Sequence, residues 1–193
     1  MREYEAKFKI KNKKEIIFRL KKLKARDLGV RKEVDIYLGQ GINGVRVRKF
    51  GRHGIVTFKS LVKSRVKAKI REEIQSEVSD VDSLIEIFKN LGFNEQKRKE
   101  KVRHIFKLGE VLVLIDRIPF LGNFVEVEGI SGLALKRAAF KLGLDYKTAS
   151  FESYENLFFT HYIKNASLFS KTKAKIIPTF ASEKEFMKGQ SLQ

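Results

Sequence analysis

The chain has no cysteine. Disulfide staples, thiolate zinc sites and a cysteine nucleophile are thereby excluded. No run of about 18 apolar residues exists, so no membrane-spanning helix is expected. The opening stretch, Met1-Arg2-Glu3-Tyr4-Glu5-Ala6-Lys7-Phe8, is charged at nearly every second position and lacks the apolar core of a secretion signal. A cytoplasmic location, away from membranes, is the expectation. Histidine is scarce and scattered, at His53, His104 and His161, without the i, i+4 pairing of clustered zinc ligands. No G-x-x-x-x-G-K-[ST] stretch occurs, which removes P-loop chemistry. Gly39-Gln40-Gly41-Ile42-Asn43-Gly44 has the spacing of a dinucleotide fingerprint. That motif needs a helix next, and Val45-Arg46-Val47-Arg48 reads as a strand. A glycine-bearing β-turn is the reading that fits.

What is present is a globular composition. The 193 residues are 42% hydrophobic, enough for one domain with a real core. Lys and Arg number 41 against 23 Asp and Glu, a formal charge of +18. Such an excess attracts polyanions: nucleic acid, anionic lipid or phosphorylated small molecules. Charge alone does not choose among them.

The strongest pattern is period-two alternation. In Glu3-Tyr4-Glu5-Ala6-Lys7-Phe8 the odd positions are charged and the even ones apolar, so one strand face is ionic and the other oily. Asn12-Lys13-Lys14-Glu15 is a capping-box pattern ahead of apolar residues at helical spacing, with Gly29 expected to close that helix. Strands are expected over 30–38, 45–48, 55–60 and 70–78, with a basic connection over 63–69. Asp80 is expected to cap a helix through Leu91, with Gly92 just beyond. Further strands follow over 93–106, 110–116 and 123–128. Helices are expected from Ser131 to Gly143 and from Ser150 to about Tyr162. The chain divides into a domain over 1–163 and a basic extension over 164–193. About eight strands joined by short turns imply antiparallel pairing. The expected fold class is α+β: a closed eight-stranded antiparallel β-barrel with helices packed outside.

The charged faces carry the chemistry. Glu3/Glu5 and Glu126/Glu128 are Glu-x-Glu pairs, each on one strand face, and Asp116 follows the same alternation. Carboxylates from two strands suit a hard cation such as Mg²⁺. Arg46/Arg48 and Lys101/Arg103 are pairs of cations, Arg71 accompanies Glu73, and Lys7 and Lys59 stand alone on their faces. A solvent-facing polar strand face would explain any one strand taken alone. Most strands repeat the two-charge unit while their opposite faces stay apolar. That joint pattern favours an inverted barrel whose ionic faces line a lumen of both signs, filled with water, metal and polyphosphate.

These residues resemble the CYTH superfamily, the triphosphate tunnel metalloenzymes, and most of all its class IV adenylyl cyclase-like group. Glu3-Tyr4-Glu5-Ala6-Lys7 matches the family's E-x-E-x-K. Asp35-Ile36-Tyr37, Arg46-Val47-Arg48, Lys59, Arg71-Glu72-Glu73 and Lys101-Val102-Arg103 follow in the family's order. Ile115-Asp116 with Leu121-Gly122-Asn123-Phe124-Val125-Glu126-Val127-Glu128 is similar to the cyclase signature, and Ser153-Tyr154-Glu155-Asn156-Leu157 to its late S-Y-x-x-L. Departures fall at Gln75, Phe106, Arg117-Ile118-Pro119-Phe120 and the tail.

The resemblance implies a cofactor of Mg²⁺ or Mn²⁺ held by Glu3, Glu5, Glu126 and Glu128, helped by Asp116 and Glu73. It implies phosphate binding by Lys7, Arg46, Arg48, Lys59, Arg71, Lys101 and Arg103, with Lys7, Arg48, Lys59 and Lys101 at the chemistry. Hydrolysis of a small triphosphate such as tripolyphosphate or ATP is the first reading, and cyclisation of ATP the second. A module binding nucleic acid, including a 5′-triphosphate RNA, ranks last. Monomer and homodimer both stay open.

Overall fold

The computed structural model describes residues 4–40, 43–62, 70–164 and 179–190; within these, the side chains of 40, 43, 59–62, 70–73, 155, 162–164 and 189–190 lie outside the description. Eight strands are present: β1 (Tyr4–Ile10), β2 (Arg26–Gln40), β3 (Asn43–Phe50), β4 (His53–Val62), β5 (Ile70–Val78), β6 (Asn94–Leu108), β7 (Val111–Ile118) and β8 (Gly122–Gly129). Among the described residues, five α-helices and a 3-10 turn (Tyr146–Thr148) accompany them: α1 (Lys13–Lys22), α2 (Val81–Asn90), α3 (Gly132–Lys141), α4 (Tyr154–Lys164) and α5 (Phe180–Gln190). The strands form one sheet in the order β1-β8-β7-β6-β2-β3-β4-β5.

The fold is α+β, as expected, but hydrogen bonds do not close the sheet into a barrel. Among the described residues, β1 takes no second strand as a neighbour. Its outer edge is occupied instead by a bridge in which Lys7 N–H donates to the Ser150 carbonyl at 2.9 Å and Ser150 N–H donates back at 2.8 Å.

Two compact units are present, residues 1–31 with 101–193 and residues 32–100; β2 and β6 contribute to both. In the first unit, Ala6, Phe8, Val113, Ile115, Val125 and Val127 line one sheet face, and Ile16, Leu20, Leu135, Ala139 and Leu142 pack on them from the helices. In the second, Ile36, Leu38, Val45 and Val47 pack under Val81 and Ile85 of α2. Burying these faces is the main favourable term in folding, and the alternation leaves the opposite faces ionic.

The helix starts follow the sequence. Asn12 Oδ1 accepts from Lys14 N–H and Glu15 N–H, and Asp80 Oδ1 from Ser83 N–H. Ser131 Oγ accepts from Ala134 N–H at 3.2 Å. Ser131→Ala is expected to cost about 1 kcal/mol of stability, read as a lower urea midpoint.

Two boundaries differ. The first helix ends at Lys22, where Lys24 takes the left-handed conformation at φ 55° and Ala25 N–H donates to the Leu20 carbonyl. Gly29 lies inside β2 at φ 95°, its N–H held by Asp27 Oδ1. The last expected helix begins at Tyr154, with Ser153 capping it, because Ser150 is engaged at the β1 edge. The connection over 63–69 lies outside the described residues.

Candidate active site

In the first unit the sheet face away from α1 and α3 carries a buried ion network. Register places Lys7 opposite Glu126, Glu5 opposite Glu128, and Arg103 opposite Asp116. Arg103 grips Asp116 with two bonds, Nε–Oδ1 at 2.7 Å and Nη2–Oδ2 at 2.6 Å, and also donates to Glu126 Oε2 at 3.0 Å. Its other terminal nitrogen lies 3.9 Å from Glu128. Lys7 donates to Glu5 at 2.7 Å and lies 3.6 Å from Glu126, and Lys101 lies 3.6 Å from Asp116. Lys7, Arg103, Asp116 and Glu126 are all buried. Charges out of water at this depth persist only when paired and hydrogen-bonded, which accounts for the interleaving of signs.

One oxygen each from Glu5, Glu126 and Glu128 lies within 4.8 Å of the others. Three carboxylate oxygens so grouped match the donor preference of a hard divalent cation.

Helix α4 covers part of this face. Tyr154, Leu157 and Phe158 pack on Ile118, Leu121 and Phe124. The Tyr154 ring takes Lys7 Nζ at 5.5 Å and Lys101 Nζ at 5.9 Å from its centroid, cation–π contacts that fix both ammonium groups. Burial pushes the Tyr154 phenol well above its ordinary range, and the charges of Asp116 and Glu126 push the same way. It therefore stays a neutral donor. Its buried hydroxyl lies beside the Asp116 carboxylate.

The stretch from Arg117 to Phe120 departs from the family pattern and is structurally unusual. Phe120 has φ 64°, the left-handed region, which costs a bulky residue about 1–2 kcal/mol. Glu183 of α5 holds it. The carboxylate accepts from Phe120 N–H at 2.7 Å and from Arg117 Nη2 at 2.8 Å on both oxygens.

The second unit has an ionic face of its own. Arg48 grips buried Asp35 through Nε–Oδ1 at 2.6 Å and Nη2–Oδ2 at 2.9 Å, and lies 3.7 Å from buried Glu33. Lys99 lies 3.7 Å from Asp35. Lys97 and Lys99 sit 5.1 and 5.2 Å from the Tyr37 ring centroid. Arg46 donates to buried Thr57 at 3.2 Å, and its Nε is buried without a hydrogen-bond partner among the described residues.

The expected site residues thus fall into three sets. Glu5, Lys7, Lys101, Arg103, Asp116, Glu126 and Glu128 come together in the first unit. Arg46 and Arg48 share a face in the second. Glu3, and the side chains of Lys59, Arg71 and Glu73, lie outside the described residues. Glu33, Lys97 and Lys99 were missed, although Glu33-x-Asp35 and Lys97-x-Lys99-x-Lys101-x-Arg103 extend alternation already read. Phe106 faces the helix-covered core, so its departure from tyrosine falls away from the ionic face.

The CYTH domain family signature matches residues 1–157. A Methanocaldococcus jannaschii protein named "Putative adenylate cyclase" is 30% identical over 136 residues, 66% of this chain and 77% of the relative. A solved Pyrococcus horikoshii protein is 28% identical with a TM-score of 0.63, covering 79% of this chain and 97% of its own. A Hippeastrum protein whose structure is described as a "Putative adenylyl cyclase" with a dominant triphosphatase activity is 16% identical, with a TM-score of 0.54 over 82% of this chain and 96% of its own. That likeness is one of fold. Among the described residues no helix is long and apolar enough to cross a membrane.

Proposed function

We propose, since this chain belongs to the CYTH domain family, that it is a divalent-metal-dependent enzyme that hydrolyses the terminal phosphoryl group of a small triphosphate. One observation carries the reading: the exposed Glu5, buried Glu126 and half-buried Glu128 carboxylates cluster beside buried Lys7 and Arg103. Those three glutamates, with Asp116 beside them, would hold Mg²⁺ or Mn²⁺, which supplies Lewis-acid neutralisation of phosphoryl oxygens.

The chain's own groups supply the rest. Lys7 and Arg103 stand beside these carboxylates and would meet phosphate oxygens there, Lys7 as a point charge and Arg103 from the guanidinium that also holds Asp116 and Glu126. Lys101 adds a third cation beside Asp116. Water adds to the terminal phosphorus, the bridging P–O bond breaks, and the charge gathering on the departing oxygen is offset by these cations. Preorganised charge in a site screened from water is the main source of rate in such transfers. By resemblance, Arg46, Arg48, Lys59 and Arg71 also bind phosphate, and Glu3 and Glu73 also bind metal. Residues 1–163 form the catalytic domain in this reading, and 164–193 an extension.

The cyclase name of the Methanocaldococcus jannaschii relative favours a second reading. There the ribose 3′-hydroxyl of ATP attacks the α-phosphorus and pyrophosphate leaves. That reaction further requires a fixed ribose and a base pocket.

Tripolyphosphate, ATP and thiamine triphosphate, each with Mg²⁺ or Mn²⁺, separate the two. Orthophosphate release that stops with EDTA and returns with metal is the expected result. Cyclic AMP with pyrophosphate would move the assignment to cyclisation. No turnover, together with salt-sensitive, metal-independent oligonucleotide binding, would sink both.

A further inference from the structure

We infer that Glu183, beyond the residues the family signature matches, is a positioning residue for the site proposed above: through it, α5 clasps the β7–β8 turn and so holds Tyr154 of α4 against Lys7 and Lys101. The inference rests on the triphosphate reading for its catalytic consequence, but not for the clasp itself.

Two oddities of the sequence answer each other here. The stretch from Arg117 to Phe120 departs from the family pattern, and the tail has no counterpart in it. In the structure each is the other's partner. Glu183 takes Arg117 with one carboxylate and uses the same group to accept from Phe120 N–H. Arg117 also lies 5.6 Å from the Phe180 ring centroid. The Phe120 ring meets Phe186 of α5 and Phe158 of α4, each with centroids 5.8 Å apart and planes near 65°. Such edge-to-face pairs have a preferred geometry, so moving one ring disturbs the next.

The chain of contact then continues inward. Phe158 and Tyr154 belong to the same helix and pack on the same buried residues, Ile118, Leu121 and Phe124. Tyr154 meets Phe124 edge-on with centroids 5.3 Å apart. Its ring is the surface on which Lys7 and Lys101 rest. A bulky residue in the left-handed region persists only where its surroundings over-determine it, and such strain clusters at functional sites. At Phe120, α5 supplies both the acceptor for the strained N–H and one of the two flanking rings. Withdrawing the Glu183 carboxylate releases Phe120, and α4 loses its outer support.

The test uses the full chain carrying Glu183→Gln, Glu183→Asp or Phe186→Ala, read by site-resolved amide exchange and by steady-state kinetics. In Glu183→Gln, exchange at Phe120 and through α4 is expected to speed by about tenfold or more, as the charge-assisted bonds to Arg117 and Phe120 N–H weaken, while β1, β8 and α3 stay protected. On the best triphosphate, kcat is expected to fall about tenfold with KM within about threefold, because displaced cations lose alignment. Glu183→Asp should recover part of both, and Phe186→Ala should reproduce the exchange change without removing any charge. Unchanged exchange in α4 overturns the clasp. Faster exchange with unchanged kcat overturns the positioning role and leaves α5 a stabilising element only. Wild-type protein with no turnover on any triphosphate overturns the functional reading and the catalytic consequence, and the exchange data then decide the clasp by themselves.

Discussion

Arg103→Met is expected to cost about 3–5 kcal/mol of stability, more than other single side-chain changes of similar volume on this face. The reason is what would remain. Arg103 neutralises Asp116 through two bonds and Glu126 through a third, and both acids are buried. Methionine fills the same space but leaves those carboxylates without their principal counter-charge. Lys101 and Lys7 are each 3.6 Å from one of them, too far for a close hydrogen bond. The check is thermal or urea unfolding, with an expected drop in midpoint of about 10 °C. Adding Asp116→Asn to the methionine variant should recover part of the loss, since the two groups form one interacting unit. A midpoint within a degree or two of wild type would mean that the network is not the buried, mutually dependent set described above.

Glu126→Gln is expected to lower turnover by roughly a hundredfold or more while leaving a folded protein. Glu126 is the acid at the crossing of the network. It faces Lys7 across β1, accepts from Arg103, and offers an oxygen to the group formed with Glu5 and Glu128. Glutamine keeps the shape and one carbonyl oxygen but gives up the charge, so a divalent cation held as proposed would lose one of its carboxylate partners there. Weaker Mn²⁺ binding by titration calorimetry should accompany the loss of rate. Circular dichroism separates this from unfolding. Near-normal turnover at saturating metal would remove Glu126 from the metal site.

How much of this was legible in the sequence depended on which interactions are local. Alternation along β1, β7 and β8 fixed which side chains share a face, because the pleat leaves no other choice. The pairs Glu126/Glu128 and Lys101/Arg103 therefore stand where the pattern puts them. Caps were equally readable, since Asn12, Asp80 and Ser131 act on amides two or three residues away. Less local features were not. That Ser150 would pair with Lys7 instead of starting a helix depends on a strand more than a hundred positions earlier. Closure of a barrel is likewise a property of distant edges, and strand count alone did not show how those edges are satisfied. Glu183 looked like one more charge in a weakly patterned tail, because its partners, Arg117 and Phe120, are remote in sequence. Lys97 and Lys99 were a different kind of miss. They precede Lys101 and Arg103 on the same alternating strand face, so the local pattern carries them as plainly as the later pair.

The bridge between Lys7 and Ser150 also bears on how the molecule behaves in company. A seven-residue strand at the end of a sheet offers a row of unpaired amides and carbonyls, onto which a foreign chain can add and begin a fibril. Here the middle of that row is already stoppered by the protein's own loop, through both a donor and an acceptor. The backbone that carries the Lys7 ammonium is thus also the place where strand addition is blocked.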